Sequence, residues 1–120
     1  MSASKIISFA DTKPERDESM PAPEKLISGT PLQLTENYYE DEKGRFFTGF
    51  WSSAPGKWHV NYDGEEEFCQ LISGEVEITS DQGEVARFSA GDRFVIPAGF
   101  NGTWETIEAC KKLYVISLVG

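Results

Sequence analysis

The sequence is poor in the residues that hold metals and form crosslinks. It has one histidine, His59, and two cysteines, Cys69 and Cys110. The cysteines fit neither a paired metal-ligand spacing nor a disulfide framework. Each lies in a strand-like run, where a small buried hydrophobe is expected. Cations are also scarce: 11 Lys and Arg stand against 20 Asp and Glu, a formal charge of −9. Nucleic acid is excluded as a partner, because neutralising phosphates needs surplus cations. An anionic membrane surface is disfavoured for the same reason, and the acidity reads mainly as solubility. No apolar run is long enough to span a bilayer. The opening MSASKIISFA is expected to be neither a signal peptide nor an anchor, so a cytoplasmic location is the default expectation. Helix-period segments of useful length and internal repeats are both absent.

What is present is strand and turn. A chain of 120 residues suggests one domain. Residues 1–31 read as an N-terminal arm, because DTKPERDESMPAPEK mixes charge with Pro14, Pro21 and Pro23, which lack the N–H of a ladder or helix interior. Within the arm, KIISF at Lys5–Phe9 is a possible short strand. Packing of the arm on a second subunit gives a homodimer as the expected assembly; a disordered tail is the plainer alternative. From Leu32 to residue 120 short apolar segments recur: LQLTENYY, RFFTGFW, KWHVNY, EFCQLI, EVEIT, EVARF, RFVIP, TWETI and KKLYVISLV. Turn residues such as DG, SG, DQG, PAG and NG separate them, with glycine supplying positive φ. The fold class is all-β and antiparallel, a jelly roll or barrel.

Alternation along strands sorts side chains into faces. Trp58, Val60 and Tyr62 form the bulkier set of their strand and are expected inward, opposite Lys57, His59 and Asn61. Glu67, Cys69 and Leu71 share a face, as do Lys112, Tyr114, Ile116 and Leu118. Both faces of these two strands carry apolar groups, so periodicity alone leaves their inward set open.

Two spaced motifs resemble those of the cupins, the RmlC-like jelly-roll barrels. Glu67 and Gly74 match a glutamate followed after six residues by glycine. Gly91, Pro97 and Gly99 match the second motif, in which Gly102 takes a histidine's slot. WHVNY, EEEFCQLISGEVEIT, GDRFVIPAGFNGTWE and KKLYVI extend the likeness to small single-domain cupins grouped with the ureidoglycine aminohydrolase cupin domain and an ethanolamine-utilisation protein. The resemblance implies a jelly-roll barrel and places Val60, Tyr62, Glu67 and Gly102 in the metal-ligand slots. Only Glu67 among these is a good ligand, and zinc-like ions want three or four donors. No tightly bound cofactor is expected; a weak divalent metal on Glu67, Tyr62 and waters stays open. His59 is one residue off the inward set, which turns it to the opposite face unless a bulge intervenes. The loop DGEEEF reads as a solvated barrel mouth, with an oxygen-rich cation site as the minor alternative.

The resemblance further implies a cavity set of Tyr62, Glu67 and Lys112 as candidate catalytic residues, with Trp58, Trp104 and Tyr114 as candidate ligand-binding residues. A carboxylate enclosed in an apolar barrel, beside a lysine, is suited to acid–base work, and tryptophans stack on sugars or flat nitrogenous molecules. The plainer reading is a buried Glu67–Lys112 pair satisfied by Tyr62, with the tryptophans as core. Gly102 either makes room for a ligand or is a turn residue in Asn101-Gly102. Three functions follow: a pocket for a small polar metabolite, a metal-dependent hydrolase similar to ureidoglycine aminohydrolase, or an accessory subunit with a filled barrel.

Overall fold

The computed structural model describes residues 5–119. After a 3-10 turn at Phe9–Asp11, the described residues form nine strands: β1 (Glu15–Ser19), β2 (Leu26–Gly29), β3 (Gln33–Glu40), β4 (Phe46–Ser53), β5 (Gly56–Asn61), β6 (Glu65–Ser80), β7 (Val85–Ser89), β8 (Arg93–Ile96) and β9 (Asn101–Leu118). All pair antiparallel. No helix among the described residues is long and apolar enough to cross a membrane.

Two strands are longer than the sequence suggests. EFCQLI and EVEIT, read as separated by an SG turn, are one strand, β6, and TWETI and KKLYVISLV merge into β9. Gly74 does adopt a positive φ of 87°, but it lies among register shifts between Leu71 and Val76. A bulge of this kind bends a strand without ending it. A side chain at Gly74 would press the backbone of Ala109 and Cys110, so β6 and β9 stay in close contact through the bend.

These two strands organise the barrel. The first part of β9 lies between β5 and β6, and its second part between β4 and β6. The path β1-β3-β4-β9-β5-β2 runs to one side, while β6 carries β8 against residues 67–70 and β7 against residues 75–79. The curled sheet is a jelly-roll barrel. Its packed core holds Cys69, Leu71, Val76, Ile78, Ile96 and Trp104, backed by the stacked rings of Phe88 and Phe94 at 3.9 Å. Burial of Leu71 and Val76 alone is worth about 1.5–3 kcal/mol each.

The arm lies along its own barrel. Lys5–Phe9 is not a strand: Phe9 starts the 3-10 turn, and its ring stacks on Tyr38 at 4.4 Å and meets Phe50 edge-on at 5.8 Å. Residues 15–19, free of proline, pair as β1 with β3 and remain exposed. Leu26–Gly29 pairs as β2 with β5, and the buried Pro31 packs on Gly56.

Candidate functional site: a buried ion pair under an aromatic cavity

The barrel holds an open-mouthed cavity of about 380 Å³. β3 contributes Gln33, Thr35 and Asn37 to its wall; β4 gives Phe47 and Trp51; β5 leads to Trp58, Val60 and Tyr62. Glu65 and Glu67 come from β6, and Trp104, Lys112, Tyr114 and Ile116 from β9. The spacing of two within each strand puts these side chains on one face.

At its floor Lys112 Nζ lies 2.8 Å from Glu67 Oε2, with the two residues 5 % and 4 % exposed. Tyr62 donates its hydroxyl proton to Glu67 Oε1 at 2.7 Å. The ammonium also sits 4.6 Å and 4.4 Å from the ring centres of Trp51 and Trp104, close enough for both ring faces to stabilise it. Burial is the largest single influence on Lys112 and works against its charge, but Glu67 together with the other groups around it holds the ammonium above the ordinary lysine range. The Tyr62 phenol is pushed far up, first by burial and then by the Glu67 charge. The same two causes raise Tyr114 to about 12. Tyr114 donates to Asn37 Oδ1 at 2.6 Å, and Trp51 Nε1 to Gln33 Oε1 at 3.1 Å. Trp104 Nε1 donates to Thr106 Oγ1, which in turn reaches Ser53 Oγ.

The structure thus brings all six sequence-predicted residues, Tyr62, Glu67, Lys112, Trp58, Trp104 and Tyr114, to one cavity. Reading the sequence missed Trp51, Gln33, Asn37 and Glu65. Trp51 was hidden because FFTGFWSS carries aromatics on both faces; Phe50, on the other face, is covered by Phe9 of the arm. In the sequence Glu65 reads as part of a solvated loop, yet it opens β6 and lines the cavity with Glu67.

Gly102 is not a turn residue. It lies within β9, outside the left-handed region, opposite Val60 of β5 and Ser80 of β6. A Cβ there would run into the Thr79 carbonyl oxygen and stand 3.0 Å from the Phe100 ring. The position therefore opens no space in the barrel cavity; neighbouring backbone fills it. His59 is exposed on the outer side of β5. Among the described residues no group of three or more His, Cys, Asp or Glu side chains is placed to hold a metal ion. The metal-ligand slots thus hold an aliphatic side chain, a protonated phenol, a carboxylate paired to an ammonium, and a glycine. This donor set does not fit a transition metal.

Comparison with known proteins bears on the fold and the family. No curated protein matches the sequence. Among solved structures, a DUF861-family protein of unknown function from Pseudomonas syringae superposes with a TM-score of 0.75 at 25% identity, over 91% of this chain and 45% of that one. The chain therefore spans less than half of that relative's length. The EutQ protein of Clostridium difficile gives 0.66 at 14% identity over 90% and 97% of the two chains. A predicted oxalate decarboxylase from Thermotoga maritima gives 0.67 at 18% identity over 96% and 100%. These last two likenesses show the jelly-roll cupin fold alone. The family described as EutQ-like cupin domain matches residues 40–114, more than half of the chain, including both residues of the ion pair. The chain belongs to the EutQ-like cupin domain family.

Proposed function

We propose that the barrel binds a small polar metabolite in its cavity without a tightly held transition metal. The observation that carries this reading is a satisfied ion pair, Glu67–Lys112 with Tyr62, at the floor of a cavity of about 380 Å³. Small-molecule sites have this range of volume and this mixture of apolar wall and few fixed polar groups. The presence of the cavity weighs against an accessory subunit with a filled barrel. The donor set weighs against a metal-dependent hydrolase.

Within this reading Tyr62, Glu67 and Lys112 form a fixed polar floor, and Trp58, Trp104 and Tyr114 form the wall. Tyr62 and Lys112 both hold their protons more firmly than usual, so they serve recognition better than proton transfer near neutrality.

The test is a thermal-shift screen of small polar metabolites on the wild type and on Thr35→Phe, which fills the cavity from β3. A ligand at 100 times its Kd stabilises by about 2.7 kcal/mol, which is several degrees for a domain of this size. At least one compound is expected to raise the wild-type Tm and to leave the folded Thr35→Phe variant unmoved. A shift that persists in the variant, or no shift with any compound, would sink the proposal.

A further inference from the structure

The charges at the cavity floor are already matched. Each oxygen of Glu67 has a donor, one from Tyr62 and one from Lys112, and the lysine is enclosed by Trp51 and Trp104. An incoming molecule therefore finds no free cation there. The remaining charged residue on the wall is Glu65, partly buried at the start of β6. No lysine or arginine among the described residues lies within 4.0 Å of its carboxylate. Its carboxyl is pushed up by burial first and by Glu67 second, against a weaker pull from Lys112. A carboxylate disfavoured in this way is relieved by a cation brought beside it.

Other groups favour the same occupant. Tyr62 and Tyr114 donate their hydroxyl protons within the protein, so their phenol oxygens face the cavity as acceptors only. Trp51, Trp58 and Phe47 supply aromatic surface, and ring faces attract cations. Trp51 and Trp104 already hold one ammonium in this manner. The formal charge of −9 draws cations toward the molecule. Gln33 accepts from Trp51 through Oε1, which leaves its Nε2 to donate to an oxygen elsewhere on the ligand.

Resting on the reading of the cavity as a binding site, we infer that its ligand carries a small nitrogen-centred cation, held by Glu65 against the aromatic wall. The probes are three molecules of matched shape: benzylammonium, benzyl alcohol and benzoate. All three tryptophans of the chain line the cavity, so their indole N–H signals in a 15N-resolved NMR titration report binding directly. Benzylammonium is expected to bind roughly tenfold more tightly than benzyl alcohol, the size of a hydrogen bond to a charged group, with benzoate weakest. Glu65→Gln should abolish that preference; Glu65→Asp should keep it. Binding of all three without this order, or a preference that survives Glu65→Gln, overturns the inference but leaves the binding site standing. Indole signals unmoved by all three probes overturn both.

Discussion

Lys112 and Glu67 form the feature on which the interior depends most at the level of single residues. A buried pair contributes little net stability, because desolvation of both ions offsets their attraction. Removing one partner is another matter. Glu67→Gln would leave an ammonium, 5 % exposed, with no carboxylate at bonding distance, only a neutral amide and the faces of Trp51 and Trp104. This variant is expected to lose about 3–5 kcal/mol in urea unfolding. Glu67→Gln with Lys112→Met should lose clearly less than the sum of the single changes, because the second substitution removes the stranded charge. Strict additivity would show that the two side chains are uncoupled. Glu67 and Tyr62 were legible in the sequence through the cupin motifs, and Lys112 through the wider likeness to small single-domain cupins. Their contact was legible only as the plainer of two readings, a buried pair satisfied by Tyr62, and the structure has that pair; both faces of their strands carry apolar groups, so the spacing did not fix which face turns inward. Glu65 escaped because an acidic run next to a glycine looks the same whether its alternate members face water or a cavity.

At the level of elements, most strands were readable from short apolar runs bounded by turn residues. The failures occurred at glycines. Gly74 reads as a turn in the sequence and is a bulge; Gly102 reads as a turn or an opening and is a close contact inside β9. Glycine signals a backbone that needs room or an unusual φ, and sequence alone does not say which. Gly102→Ala should therefore destabilise by roughly 1–3 kcal/mol, as overpacking does, because its methyl meets the Thr79 carbonyl. A variant as stable as wild type in urea would mean that β9 and β6 can part at this point. The same crowding means that a histidine placed at 102 does not rebuild a metal site.

For the whole molecule, the buried titratable groups set an alkaline limit. Burial raises Cys69 to about 12 from an ordinary 9.0, and raises Cys110, Tyr62 and Tyr114 as well; Lys112 is raised by Glu67 against its own burial. All of these groups keep their protons longer in the folded chain than in the unfolded one. Their contribution is complete below the unfolded pKa values and is lost as pH climbs through the folded ones, so stability should decline from about pH 9 upward. Each released proton accounts for up to about 1.4 kcal/mol per pH unit. Urea midpoints between pH 8 and 12 test this; a flat profile would contradict the burial of these groups.

The position of β9 also bears on how the chain acquires its shape during synthesis. β4, β5 and β6 all use β9 as their shared neighbour. A nascent chain of a hundred residues thus holds three strands whose common partner has not yet been made, with their edges and apolar faces uncovered. The pairings it awaits join residues far apart in sequence, which places the barrel among slow folders. During that interval the exposed edges are open to pairing with other chains, so the ribosome and its attendant chaperones, more than the finished barrel, face the greatest risk of aggregation.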